Sequence, residues 1–142
     1  NRNVFIVIDR YQMLQILQHL KTTCPPDNIA EFEFASGNGN FEMSKLLQQR
    51  IISKKIKWYP GCGEIIKENG ETHRPHGPTI PDDLVSELAD LVKVPKPGGK
   101  WRFDHPRWGH DDRAFGIGAV VWLIGREQKN MTGETTVSEE MN

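Results

Sequence analysis

The sequence predicts an α/β fold in which a parallel or mixed sheet is flanked by helices. Apolar runs of strand length alternate along the chain with segments whose apolar residues repeat at helical spacing. The first run, Val4 to Ile8, is continuously apolar and rich in β-branched residues, as is typical of a strand covered on both faces. Helices on both sides of a sheet would provide that cover.

The elements after the first strand are predicted from spacing and from residues that favour helix ends. Tyr11 to Lys21 repeats apolar residues three or four apart, which indicates a helix with Lys21 at its favourable C-terminal end. Glu31 to Ala35 alternates and predicts a short strand. A second helix is predicted from Phe41 to Ile52. A third, Ile80 to Val94, has a proline and two aspartates that suit a first helical turn.

The rest of the chain predicts two more strands and a last helix. Lys54 to Pro60 and Trp101 to Phe103 are predicted as short strands, and Gly61 to Pro78 as an exposed, turn-rich excursion. The last helix is predicted from Asp112 to Arg126. We expect residues 1–126 to form one partial domain and residues 127–142 a polar, flexible tail. Because the chain starts directly on an apolar strand, we also expect a fragment whose earlier strands are missing.

Composition excludes several classes of protein. The chain has 142 residues, 37% of them hydrophobic and 26% charged, which supports an ordinary globular core. The net charge of −1 gives no global attraction to nucleic acid, so any DNA contact would come from local patches. The longest apolar stretch, Ala114 to Ile124, contains two glycines and is too short to span a bilayer. No secretory signal is recognised, and the two separated cysteines are expected to be reduced thiols.

Three aspartates are the strongest candidates for chemistry. Asp9 ends the first strand, and Asp111 and Asp112 begin the last helix. Functional groups gather at the carboxyl ends of parallel strands, so these acids would converge if that helix packs beside the first strand. Carboxylates without thiolates suit Mg²⁺ or Mn²⁺, and a pair of such ions can assist cleavage of a phosphodiester. The alternative is that Asp111 and Asp112 only cap the helix, since aspartate is favoured there. The sequence leaves both interpretations open.

Three segments resemble a known family when they are taken together. They are VFIVIDRYQMLQILQHLK from Val4, FEMSKLLQQRIISKKIKWYP from Phe41 and HDDRAFGIGAVVWLI from His110. This arrangement resembles the C-terminal nuclease domain of the large terminase subunit of tailed bacteriophages. The resemblance implies a ribonuclease H-like fold and a metal-dependent endonuclease that cuts concatemeric double-stranded viral DNA in the host cytoplasm. It also implies a parent protein that is an ATP-driven packaging motor and that works with a portal protein and a small terminase subunit.

The resemblance assigns roles to individual residues. Asp9 would be the second metal-binding carboxylate and Asp111 the third, with Asp112 beside it as a ligand or a cap and His110 flanking the metals. The family uses Mg²⁺ or Mn²⁺ in a two-metal site, and its first carboxylate lies on an earlier strand that this chain lacks. We therefore expect the fragment to bind metal poorly and the nuclease activity to belong to the parent protein.

Several cations are candidates for DNA contact. Lys54, Lys55 and Lys57 lie beside two aromatic residues and could bind backbone phosphate, or they could simply be a solvated strand edge. Arg102, Arg107 and Arg113 lie near the acidic motif and could bind backbone phosphate, or they could pair with nearby Asp104 and Asp112.

Two other functions stay open. The first is a non-catalytic domain that docks onto DNA or a portal protein. The second is a transposase or resolvase of the same fold class. A zinc site built from Cys62, His73 and His76 is disfavoured because no second cysteine lies close by.

Overall fold

The structure is a computed structural model that describes residues 4–10, 13–34, 37–107 and 109–132. Four helices and four strands lie in these ranges. In chain order they are β1 (Ile6–Asp9), α1 (Leu14–Thr23), β2 (Ile29–Phe32), α2 (Gly37–Ile52), α3 (Leu84–Asp90), β3 (Val92–Pro95), β4 (Trp101–Asp104) and α4 (Asp112–Thr132). The predicted helix start at Tyr11, the predicted strand end at Ala35 and residues 133–142 of the predicted tail lie outside the described residues.

The described strands form two small sheets. β1 pairs with β2 in parallel, with Ile6 opposite Ile29 and Asp9 opposite Phe32. β3 pairs with β4 in an antiparallel hairpin whose turn is a short 3₁₀ segment, Pro97–Gly99. The described helices, together with one parallel and one antiparallel pair of strands, confirm the α/β class. The ribonuclease H-like arrangement stays a prediction, because two separate two-stranded sheets do not define it.

Two secondary-structure predictions are wrong. No strand forms at 54–60, because Lys54 adopts a left-handed φ of 55° and Lys55 N–H bonds to the carbonyl of Arg50 at 2.9 Å. These residues therefore close α2 instead of starting a strand. The helix predicted to reach Val94 ends at Asp90, because the residues after it pair with β4. Cross-strand pairing outweighs a helical pattern where β-branched residues such as valine are present.

The last helix is longer than predicted. α4 continues to Thr132 instead of ending at Arg126, so the first part of the predicted tail, 127–132, is helical. Among the described helices, none is long and apolar enough to cross a membrane.

The core lies between α2 and α4. Met43 and Leu47 of α2 are fully buried, and Ala114 and Ala119 of α4 are buried with them. At Gly118 of α4 an added Cβ would lie 2.9 Å from the sulfur of Met43, so the missing side chain lets the two helices approach closely. α4 also contacts β1. The last helix therefore packs beside the first strand, as the convergence of Asp9 with Asp111 requires.

Candidate metal centre

One cavity contains all three predicted carboxylates. Its volume is about 470 Å³. It is lined by Asp9, Phe34, Asn40, Arg102, Phe103, Asp104, Asp111, Asp112, Phe115 and Gly116. Asp9 comes from the end of β1, while Asp111 and Asp112 come from the start of α4. The structure therefore brings together the acids that the sequence placed at a strand end and at a helix start.

The closest cluster of potential ligands combines two acids of this cavity with a histidine outside its lining, and two of its three residues were not predicted from the sequence. Asp104, His105 and Asp111 each offer a donor atom, and these three atoms lie within 4.8 Å of one another. Asp104 is the last residue of β4, an antiparallel strand, so the rule that pointed to Asp9 at the carboxyl end of a parallel strand does not cover it. An acid at the end of a short predicted strand was the one local signal that could have identified it. The histidine beside Asp111 in space is His105, whereas the sequence had suggested His110.

The donor atoms of the cluster fit a hard or borderline divalent cation. Ligands of one Mg²⁺ or Mn²⁺ ion lie about 2.1 Å from it, so two of them are at most about 4.2 Å apart. A spacing of up to 4.8 Å therefore needs only a small closing movement. Oxygen ligands suit either ion, and an imidazole nitrogen suits a transition metal such as Mn²⁺ better than Mg²⁺. Within the described ranges no other group of three potential ligands is this close, and Cys62 with His73 and His76 does not form one.

The cluster concentrates negative charge in a partly buried place. Burial raises the pKa of Asp111, and the negative charges of Asp112, Asp104 and Glu87 raise it further, against the opposing effect of His105. The pKa of His105 is raised as well, first by a hydrogen bond from Nδ1 to the carbonyl of Pro106 (2.8 Å) and then by the neighbouring aspartates. That hydrogen bond leaves the Nε2 lone pair as the ring's metal-binding atom in the neutral histidine. Repulsion among carboxylates of this kind is relieved by a bound cation.

The start of α4 is capped from a different helix. Glu87 of α3 is buried, and its Oε2 accepts hydrogen bonds from the backbone N–H groups of Arg113 (2.8 Å) and Ala114 (3.0 Å). These are the N–H groups that an N-terminal cap normally receives. Because Glu87 takes them, the Asp111 side chain is not needed for capping. The capping alternative therefore loses its main support at Asp111.

Arg113 ties the start of α4 to the turn-rich excursion. Its guanidinium donates to Asp82 (2.9 Å), to Glu87 (2.7 Å) and to the carbonyl of Gly63 (2.8 Å). Gly63 has a φ of +85°, and an added Cβ there would lie 2.7 Å from Arg113 Cδ. Asp82, Glu87 and Gly63 thus hold Arg113 in place. The guanidinium that the sequence offered for DNA contact is engaged in holding α4.

The other predicted site residues lie outside the cavity lining. His110 is exposed, and its ring stacks on His76 with centroids 5.8 Å apart. The lysines at the end of α2 are exposed, as is Arg107. Their predicted role in DNA binding stays a prediction. The residues in this group are Lys54, Lys55, Lys57 and Arg107.

Comparison of the chain with protein-family models, with curated proteins and with solved structures gave no significant match. The resemblance to terminase nucleases therefore rests on the three sequence segments quoted above. The function of the chain has to be argued from the geometry of the site.

Proposed function

We propose that this chain is a metal-dependent endonuclease domain that cleaves DNA phosphodiester bonds. One observation carries the proposal: Asp9, Asp104 and Asp111 line a single cavity, with His105 beside two of them. These acids come from a strand end, a hairpin strand and a helix start that are far apart in sequence. Aspartates brought together in this way, without a thiolate, are the donor set that Mg²⁺ and Mn²⁺ prefer, and the imidazole favours Mn²⁺.

The residues around the cavity have distinct tasks in this proposal. Asp104, His105 and Asp111 would hold one ion, and Asp9 would contribute a carboxylate for a second. Bound ions supply positive charge that polarises a phosphodiester and makes a water molecule more acidic. Glu87 keeps the first turn of α4 in place, so the position of Asp111 does not depend on its own side chain. His105 is oriented by the hydrogen bond from its Nδ1 to the Pro106 carbonyl.

The biological setting is proposed from the resemblance alone. A terminase nuclease would act on concatemeric double-stranded DNA in the host cytoplasm, as part of a packaging motor with a portal and a small subunit. Asp104 and His105 supply donors that the sequence prediction did not include. We therefore propose that this chain binds a divalent ion by itself, even though the resemblance places one carboxylate upstream.

Nicking of supercoiled plasmid tests the proposed activity. The 142-residue chain should nick DNA with Mn²⁺ and lose the activity in Asp104→Asn and in Asp111→Asn. Asp90→Asn is the matched control, because Asp90 is an exposed acid at the end of α3 and does not line the cavity. Equal activity in Asp111→Asn and in the control would contradict the proposal. So would nicking that is unaffected by chelation of divalent ions.

A further inference from the structure

Among the residues that the structure describes, Arg102 is the one basic residue that lines the cavity, and its interactions are incomplete. One of its terminal nitrogens, Nη2, donates to Asp104 Oδ2 at 2.6 Å. Its Nε is buried from solvent and has no hydrogen-bond partner in the described part of the chain. A buried donor without an acceptor is unfavourable, and in a folded protein it calls for an explanation. The side chain is itself 39% exposed, so it has room to move.

Arg102 is hydrogen-bonded to Asp104, one of the proposed metal ligands. Asp104 accepts from Arg102 at Oδ2 and from the backbone N–H of His105 at Oδ1 (3.0 Å), so both of its oxygens are engaged. In the described ranges, four carboxylates and this single guanidinium line the cavity. A backbone phosphate would be repelled by that balance of charge. It would also find the guanidinium already bound to a carboxylate.

We propose that Arg102 is a stand-in cation that a divalent ion displaces, and that the released guanidinium then binds a backbone phosphate of DNA in the cavity. This inference rests on the proposed function, because it assumes the metal site at Asp104, His105 and Asp111. The ion replaces the positive charge next to Asp104. The guanidinium, whose planar donors match phosphate oxygens, is then free to bind the substrate.

Displacement of Arg102 from Asp104 by a divalent ion leads to two coupled predictions. Arg102 competes with the metal for Asp104, so removing Arg102 should strengthen metal binding. Metal binding releases Arg102, so the metal should strengthen DNA binding, and by reciprocity DNA should strengthen metal binding. A merely structural ion pair would also weaken metal binding through its charge, but the metal-dependent gain in DNA affinity would then not depend on Arg102.

Titration of the full 142-residue chain with Mn²⁺ tests the first prediction. Without DNA, Arg102→Met should bind Mn²⁺ about two- to fivefold more tightly than wild type, which is the range for losing a half-exposed ion pair. Lys96→Met is the matched control, since Lys96 is an exposed cation next to the turn of the same hairpin and outside the cavity. The control should keep wild-type affinity. Arg102→Gln is measured beside Arg102→Met, so that the result does not depend on one variant folding.

Fluorescence anisotropy with a short DNA duplex tests the second prediction. In wild type, Mn²⁺ should increase duplex affinity severalfold, and this increase should be lost in Arg102→Met and kept in Lys96→Met. Arg102→Lys, which keeps the charge but not the planar donors, should keep part of it. Duplex integrity is checked on a gel afterwards. Inorganic phosphate, titrated in parallel, should bind more weakly than the duplex, and tighter binding would overturn the assignment to a backbone phosphate.

The outcomes separate this inference from the proposed function. If wild type binds Mn²⁺ and both Arg102→Met and Arg102→Gln bind it no more tightly than wild type, the role of Arg102 as a stand-in cation is overturned while the metal site stands. If the Mn²⁺-dependent gain in duplex affinity persists in Arg102→Met, the phosphate role is overturned. If wild type does not bind Mn²⁺, the proposed function fails and this inference fails with it.

Discussion

Replacing Glu87 with alanine should destabilise the protein severely, because this residue caps α4 from a neighbouring helix. The side chain accepts the backbone N–H groups of Arg113 and Ala114 and pairs with the Arg113 guanidinium. Alanine removes all three interactions at once. The N–H of Ala114 would then be left in a place where that residue is 1% exposed, with little access for water.

The size of the effect follows from these lost contacts. An orphaned buried donor costs about 1–3 kcal/mol. Loss of a negative charge at a helix N-terminus costs about 0.3–1 kcal/mol. The Arg113 guanidinium keeps its hydrogen bonds to Asp82 and to the Gly63 carbonyl, so it loses only its interaction with Glu87. We therefore expect Glu87→Ala to lower the free energy of unfolding by about 2–4 kcal/mol, a large share of the roughly 5–15 kcal/mol typical of a domain.

Urea unfolding followed by circular dichroism measures this change. Glu42→Ala is the matched control, since Glu42 is an exposed glutamate on α2, and it should change stability by less than about 0.5 kcal/mol. Glu87→Gln keeps one oxygen acceptor and should fall between the two. Where Glu87→Ala still folds, its Mn²⁺ affinity should also drop, because Asp111 loses its anchored position. A stability loss similar to that of the control would refute the assignment of Glu87 as the cap.

Three further predictions concern stability alone. Asp111→Asn should stabilise the metal-free protein at neutral pH, because the pKa of Asp111 is raised in the folded state. The contribution of Asp111 to stability is therefore most favourable below its pKa in the unfolded chain, and it is lost as pH rises through its pKa in the folded protein. Thermal unfolding should accordingly show a smaller gain in stability from Asp111→Asn at acidic pH than at neutral pH. Asp83→Ala should cost about 1 kcal/mol by removing the cap of α3. Because hydrogen bonds lower the pKa of Asp83, that loss should shrink as pH falls through its folded value; an equal loss at all pH values would contradict the assignment. Gly118→Val should cost about 1–3 kcal/mol by overpacking against Met43, whereas Gly116→Ala, where no atom lies within 4 Å of an added Cβ, should be stabilising in the same denaturation assay.

Regular spacing in the sequence was sufficient to predict much of the fold. Apolar patterning predicted β1, α1, β2, α2 and most of α4, because local pattern and tertiary packing agree in these elements. It failed at 54–60 and after Asp90. In the first case a left-handed residue closes the preceding helix, and in the second a partner strand decides the conformation. Neither the cap nor the partner strand is a property of the local segment.

The candidate site was predictable where its residues end or begin an element. Asp9 and Asp111 follow that rule, and the structure places both at one cavity. Asp104 ends a strand of an antiparallel hairpin, to which the rule for parallel strands does not apply, so it was not predicted as a ligand. The capping role of Glu87 could not be predicted from the sequence, because an acid within a helical pattern is indistinguishable from a residue of the exposed polar face until the neighbouring helix is known.

Binding of Mn²⁺ to the 142-residue chain, followed by electron paramagnetic resonance, tests the central claim most directly. Asp104, His105 and Asp111 should bind one ion per chain, and Asp104→Asn and His105→Ala should each weaken it by at least about tenfold. Asp90→Asn should bind as wild type does. Wild-type protein that leaves Mn²⁺ free in solution, or Asp104→Asn that binds it as tightly as wild type, would contradict the account.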